Sequence, residues 1–197
     1  GKRVVLEGGS IDYNGAGTLL TTEECLLDPV QQVRNPGWSK ADYEEMFRET
    51  MGIKKVIWLN KGIAGDDTHG HVDDLARLVN QETVLLCSED DREDENYLHL
   101  KENLKILKNQ TNAEGKPIKV IKLPMPSPVL FDGMRLPASY ANFYIGNSVV
   151  LVPTFNDAKD FEALKILRSC FPDRQVIGIH SVDLVWGLGT LHCLTHE

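Results

Sequence analysis

The sequence predicts an α/β (α+β) chain assembled from repeated β-β-α-β units. Three observations lead there. A cycle of two apolar strands, an amphipathic helix and a further strand recurs three times. Turn signals punctuate each cycle at a corresponding place. The composition, 42% hydrophobic and 25% charged over 197 residues, is that of a packed domain able to bury roughly 70% of its unfolded surface.

The first unit spans about residues 3–59. Arg3 to Leu20 reads as two strands around Tyr13-Asn14-Gly15-Ala16-Gly17. Ser39 then caps a helix over Lys40 to Met51, where Tyr43, Met46, Phe47 and Met51 recur at spacings of three and four, and Gly52 supplies the C′ residue. Lys55 to Leu59 is the closing strand. The second unit, 75–123, repeats the order: Leu75 to Val79 and Thr83 to Cys87 flank Asn80-Gln81-Glu82, a helix runs from Asn96 to Lys108, and Ile118 to Leu123 is a strand. The third, 140–179, has Tyr140 to Ile145 and Val149 to Pro153 around Gly146-Asn147-Ser148, a helix from about Ala158 to Cys170, and Gln175 to Ile179. Residues 184–197 read as the opening of one more unit. Each unit exposes an apolar face of sheet and of helix, so units stack side by side about an axis and equivalent positions converge near it.

The net charge of −8 speaks against nucleic acid or an anionic membrane as the main partner and favours a cationic ligand. No apolar run approaches the roughly 18 residues of a membrane span. The opening Gly1-Lys2-Arg3-Val4-Val5-Leu6 lacks a signal-peptide core, and Cys25, Cys87, Cys170 and Cys193 show no paired spacing. Both features lead to the expectation of a reducing, cytoplasmic setting. The acidic run Glu89 to Glu95 reads as a solvated lead-in to the second helix.

Glu7, in Leu6-Glu7-Gly8-Gly9, stands seven residues before the turn Asn14-Gly15; Asp73 stands seven before Asn80-Gln81. The shared phase puts both carboxylates near the axis. Asp66-Asp67-Thr68-His69-Gly70-His71-Val72-Asp73-Asp74 packs four acids and two histidines into one inter-unit loop. Two readings compete for it. His71 and Asp73 suit an acid/base histidine beside a cation-binding carboxylate; His69-x-His71-x-Asp73 suits part of a metal site. Cys193 follows Gly187-Leu188-Gly189-Thr190-Leu191-His192, where glycines allow close backbone approach. The other three cysteines read as core. His192, if its segment is a strand, points to the face opposite Cys193.

Several strings, taken in order, resemble the guanidine-modifying (pentein) superfamily and, within it, the agmatine deiminase/bacterial peptidyl-arginine deiminase family. They are Leu6-Glu7-Gly8-Gly9-Ser10, Leu19 to Leu27, Arg34-Asn35-Pro36, Lys55 to Leu59, Gly70-His71-Val72-Asp73, Ala138 to Ile145, Val152-Pro153 and Leu191 to Thr195. The resemblance runs along essentially the whole chain and corresponds to the C-terminal portion of the family. It implies a pseudo-fivefold propeller of β-β-α-β modules, of which about three lie here and about two on the N-terminal side do not. It also implies roles. Cys193 is the nucleophile that becomes amidino-cysteine, His71 the general acid/base, Asp73 a guanidinium partner, and Glu7 a guanidinium partner that orients His71. Asp67 matches a position facing the substrate's far amine. A second guanidinium-binding aspartate belongs to the part outside this chain. The sequence departs from the family pattern at Gly187-Leu188-Gly189, usually three glycines, and at His196-Glu197, usually two glutamines.

The expected activity is deimination of a small cationic guanidine, agmatine to N-carbamoylputrescine and ammonia in putrescine synthesis, with no cofactor and no metal. Deimination of arginine in peptides is the near alternative. A metal-dependent hydrolase built on His69, His71 and Asp73, or an inactive interaction module, are the readings from other classes. Open module faces would present apolar surface and strand edges, so the chain alone is expected to self-associate, as a homo-oligomer or by swapping, and to be nearly inactive.

Overall fold

The computed structural model describes residues 3–195. Its elements follow the chain as β1 (Asp12–Tyr13), β2 (Thr18–Thr22), α1 (Glu23–Leu27), α2 (Lys40–Met51), β3 (Lys55–Leu59), β4 (Ala76–Leu78), β5 (Thr83–Ser88), α3 (Asn96–Lys108), β6 (Lys119–Pro124), β7 (Leu130–Phe131), β8 (Met134–Arg135), β9 (Tyr144–Ile145), β10 (Val149–Thr154), α4 (Asp160–Cys170) and β11 (Gln175–His180). Short 3-10 turns lie at Gly8–Ser10, Val72–Asp74 and Leu184–Gly187.

Three sheets share one plan. In β1-β2-β3, β4-β5-β6 and β9-β10-β11 the first pair is antiparallel and the second parallel, with a helix carrying the chain across between the parallel strands. A parallel pair requires such a crossover, which is why each unit contains one long helix. The parallel registers begin at Thr18 with Lys55, Thr83 with Lys119 and Val149 with Gln175.

Local chemistry explains the ends of α2. Ser39 accepts from the Asp42 backbone N–H while the Asp42 carboxylate reaches back to Ser39, a complete capping box, and Gly52 closes the helix at φ +68. Apolar side chains then sort by unit. Tyr43 and Phe47 pack with Leu19, Ile53 and Trp58; Leu167 and Phe171 pack with Phe143, Val150 and Val152; the largest cluster joins Leu100 and Leu107 to Ile57, Val84, Leu86, Leu123 and Tyr140.

The structure departs from the sequence reading at several edges. No strand begins near Arg3; pairing starts at Asp12, after the Gly8–Ser10 turn. Tyr140 to Phe143 is not strand, and β9 is only Tyr144–Ile145. The stretch from residue 184 to 195 forms a 3-10 turn and further turns rather than the opening strand of another unit. Helix α1 and the hairpin β7–β8 were not anticipated; both are very short, below the length at which periodicity is readable. Among the described residues no helix is long and apolar enough to cross a membrane.

Candidate active site

Two 3-10 turns meet beneath an open cleft of about 860 Å³. Glu7, Gly9, His71, Asp73, His192 and Cys193 are among its lining residues. Glu7 is the residue before the Gly8–Ser10 turn, and His71 the residue before Val72–Asp74. Gly9 is required at the crossing: a Cβ there would lie 2.5 Å from His71 Nδ1 and 2.9 Å from Asp73 Oδ2. Asp66 shapes the approach to His71. Its Oδ1 accepts from Thr68, and its Oδ2 accepts from the backbone N–H groups of Gly70 (2.8 Å) and His71 (3.0 Å).

Asp73 is fully buried, and three groups crowd its Oδ2: His192 Nδ1 at 2.7 Å, Asn142 Nδ2 at 3.1 Å and Cys193 Sγ at 3.3 Å. Its Oδ1 has no hydrogen-bond partner, and neither has the buried Nε2 of His71. Glu7 Oε1 comes to 3.9 Å from that nitrogen, outside hydrogen-bond range. Glu7 is itself held by Arg34, whose Nε donates to Oε1 at 3.0 Å and Oε2 at 3.3 Å, while Arg34 Nη2 reaches the Thr68 carbonyl at 2.5 Å. One arginine therefore ties the Glu7 turn to the His71 loop.

The two adjacent acids differ in state. Burial raises the Asp73 carboxyl, but the His192 hydrogen bond and the charges of His192, His71 and Arg77 outweigh it and hold it below its ordinary range. Asp74 is pushed well above its own by burial and by the charges of Asp73 and Asp66. The Cys193 thiol is driven well up, first by desolvation and then by Asp74 and Asp73, while its hydrogen bond from Asn142 opposes the shift. In the unliganded cleft Cys193 is a thiol donating toward Asp73.

Of the sequence candidates, Glu7, His71, Asp73 and Cys193 thus line one cleft. Asp67 does not: it is exposed, absent from the cleft lining, and its carbonyl accepts from Gln32 Nε2 at 2.6 Å. The His69–His71–Asp73 set does not assemble either. His69 Nε2 is 2.8 Å from Asp28 Oδ2, and the two groups of close potential ligands among the described residues, Glu7–Cys25–His71 and Asp73–Asp74–Cys193, exclude it. Cys25 and Cys87 are buried, and burial pushes each thiol up to about 12.

Sequence reasoning missed His192, Asn142, Arg34 and Asp66 as site residues. The segment of His192 is a turn and not a strand, so His192 and Cys193 share a face and both reach Asp73 Oδ2. Asn142 did carry a signal, a lone amide within Tyr140-Ala141-Asn142-Phe143-Tyr144. The middle of Gly187-Leu188-Gly189 takes φ +64, a left-handed conformation that strains Leu188 where glycine would not be strained.

The family model for the Porphyromonas-type peptidyl-arginine deiminase matches residues 1–197. A Latilactobacillus sakei protein provisionally named agmatine deiminase is 40% identical over 212 residues, covering 98% of this chain and 57% of the relative. A C. jejuni agmatine deiminase variant with substrate bound superimposes with a TM-score of 0.89 at 36% identity, over 98% of this chain and 55% of that one. An Enterococcus faecalis agmatine deiminase does so with a TM-score of 0.90 at 34% identity, over 96% and 56%. The chain spans a little over half the length of these relatives. Its three β-β-α-β units are modules of a pentein fold.

Proposed function

The chain belongs to the Porphyromonas-type peptidyl-arginine deiminase family, and on that premise we propose that it supplies the nucleophile and acid/base of a deiminase. The substrate is a small guanidine, agmatine, and the products are N-carbamoylputrescine and ammonia. The observation that carries this reading is a pair of buried, unpartnered polar atoms, Asp73 Oδ1 and His71 Nε2, in the cleft that holds the Cys193 thiol. Such atoms are rare in folded proteins and call for a ligand that satisfies them. A guanidinium offers N–H donors to the carboxylate and a positive charge to the site.

The cation does a second thing. Asp73 and Asp74 oppose ionisation of Cys193 while the cleft is empty; a guanidinium bound to Asp73 offsets that charge and releases the thiolate when substrate is present. The thiol proton passes to His71. The thiolate attacks the guanidinium carbon, forming a C–S bond, and the imidazolium returns the proton to the departing nitrogen, which leaves as ammonia when its C–N bond breaks. The S-alkylthiouronium is attacked by water, whose proton goes to His71. The adduct's hydroxyl proton goes to solvent as the C–S bond breaks, and His71 returns its proton to the departing sulfur, leaving the ureido product and the Cys193 thiol. Glu7 is not a free guanidinium ligand in this scheme: paired with Arg34, it borders His71 and shapes the rim.

A cytoplasmic location is part of the same reading, since the nucleophile must stay reduced. Ammonia release from agmatine by the intact protein that carries this chain tests the proposal. Cys193→Ser should bring turnover below detection, and mass spectrometry of the wild type quenched during turnover should find an amidino adduct on Cys193. Full activity in Cys193→Ser would sink it. The family description favours a second reading, arginine within peptides, and parallel assays on agmatine and an arginyl peptide decide between the two.

A further inference from the structure

Cys25 is a buried thiol that the deiminase reading leaves without a task, yet the fold brings it to the side of His71. Its helix, α1, is tied on both flanks to the loop that carries His71. The Thr22 hydroxyl that accepts from the Cys25 N–H donates to the Gly70 carbonyl at 2.5 Å. Glu24 Oε2 accepts from the Gly62 N–H at 2.8 Å. Between these ties Cys25 is 2% exposed. Glu7, Cys25 and His71 each offer a ligand atom, and the three atoms lie within 4.8 Å of one another. His71 is 7% exposed, its Nε2 has no hydrogen-bond partner, and Glu7 Oε1 stands 3.9 Å from that nitrogen. A carboxylate, a thiol and an imidazole from three separate segments thus share one small space.

From this convergence we infer that Glu7, Cys25 and His71 form a binding site for a borderline-soft divalent cation, Zn2+ foremost. The donor set selects the metal. Thiolate sulfur and imidazole nitrogen suit zinc, whereas Mg2+ and Ca2+ take oxygen ligands. The spacing agrees: ordinary bond lengths put the ligands of a tetrahedral zinc about 3.3–3.8 Å apart, so the set needs to contract by about 1 Å at most. Arg34 takes one lone pair of each Glu7 oxygen, and each oxygen keeps a second. Binding forms the bond to Cys25 sulfur as the thiol proton leaves to solvent. Burial, which pushes this thiol up to about 12, opposes that release, and the ion supplies the positive charge that a buried thiolate lacks. Glu7 and His71 line the cleft, which gives the ion its way in. The other close set, Asp73–Asp74–Cys193, carries no imidazole, and its Asp73 is already held by His192. The consequence for activity rests on the deiminase reading. A metal on Nε2 takes the lone pair with which His71 would move protons, so zinc is an inhibitor here and not a cofactor.

The test reads the metal rather than turnover. Co2+ is the probe, because thiolate on cobalt gives a charge-transfer absorption that oxygen and nitrogen ligands do not. In the intact protein that carries this chain, the band should saturate at about one Co2+ per chain, and Zn2+ should displace it. Cys25→Ser should abolish the band and weaken Zn2+ binding, measured by calorimetry, by more than the roughly 10–100-fold that loss of an outer-shell partner costs. His71→Gln should weaken Zn2+ binding as far, and it guards against a Cys25 variant that does not fold. Cys193→Ser should keep both the band and the affinity. No band in the wild type, a band that survives Cys25→Ser, or one lost in Cys193→Ser overturns the inference. Ammonia release from agmatine should fall in step with zinc occupancy, and undiminished turnover with zinc bound would overturn the masking of His71. A cobalt band that follows Cys25 in a protein that deiminates no guanidine would uphold the metal site while overturning the proposed activity.

Discussion

Asp12 and Asp73 are both buried carboxylates that line the same cleft, and the fold treats them in opposite ways. Asp12 is fully engaged: Oδ1 accepts from Arg77 Nε at 2.8 Å and Oδ2 from the Leu78 N–H at 2.6 Å. Arg77 in turn donates to the carbonyls of Phe143 (2.7 Å) and Ala141 (3.3 Å), and its guanidinium lies over the Phe143 ring at 4.7 Å. That single arginine joins a carboxylate of the first unit to backbone of the third through a side chain of the second. Asp73 has one oxygen overcrowded and one without a partner, next to Asp74, whose Oδ1 also lacks one. A buried ion pair with every group satisfied holds units together, whereas a buried acid left half-satisfied calls for an explanation. The fold holds an internal guanidinium at Asp12 and leaves one oxygen of Asp73 unpaired, the oxygen that the proposed function assigns to the substrate.

The comparison breaks most visibly at Arg77. Arg77→Met strands Asp12 without its charge partner and should cost about 3–5 kcal/mol of stability, read as a lower denaturant midpoint. An unchanged midpoint would mean that the ion pair does not hold the units. Asp73→Asn should instead act on substrate: guanidine binding weakened by about 2–4 kcal/mol, seen as a raised KM for agmatine. A KM unchanged from wild type would remove Asp73 from the substrate's partners.

The thiol sharpens the contrast through pH. Because burial and the neighbouring acids raise the Cys193 pKa, the neutral thiol is the form that persists at ordinary pH. Labelling by iodoacetamide should therefore be slow near pH 7 and climb only through the alkaline range. A cationic haloacetamidine of similar reactivity, which brings its own positive charge to Asp73, should label about tenfold faster at pH 7. Equal rates would argue that no cation site adjoins the sulfur. The smallest effect lies away from the cleft: Ser39→Ala removes one half of the α2 capping box and should lower stability by about 1 kcal/mol with KM for agmatine unchanged.

Much of this was legible in the residues. The helix over Lys40 to Met51 was bounded by its own chemistry, a Ser-x-x-Asp start and a glycine end, and needed no tertiary information. The helix over Asn96 to Lys108 and the strand over Lys55 to Leu59 followed from apolar spacing alone. Glu7, His71, Asp73 and Cys193 could be picked out because each is a polar group beside glycine or in a dense polar loop, where packing alone gives no reason for it. The misplaced edges share one cause. Strands at Arg3, at Tyr140 and beyond residue 184 were inferred from β-prone side chains, and such preference does not decide whether a neighbouring strand is there to accept the hydrogen bonds.

The sequence by itself determined the order and number of the β-β-α-β units, the caps of α2 and the residue types that carry the chemistry, because these depend on neighbours within a few positions along the chain. Tertiary structure alone decided which oxygen of Asp73 is free, that Arg34 occupies Glu7, that His69 answers to Asp28, and that Asn142 reaches both Thr190 and Cys193. Those pairings join residues 27 to 51 positions apart, and the contact of Cys193 with Asp73 spans 120. Hydrogen bonds are set by ångström distances between side chains, and only the packed units bring such distant residues within that reach.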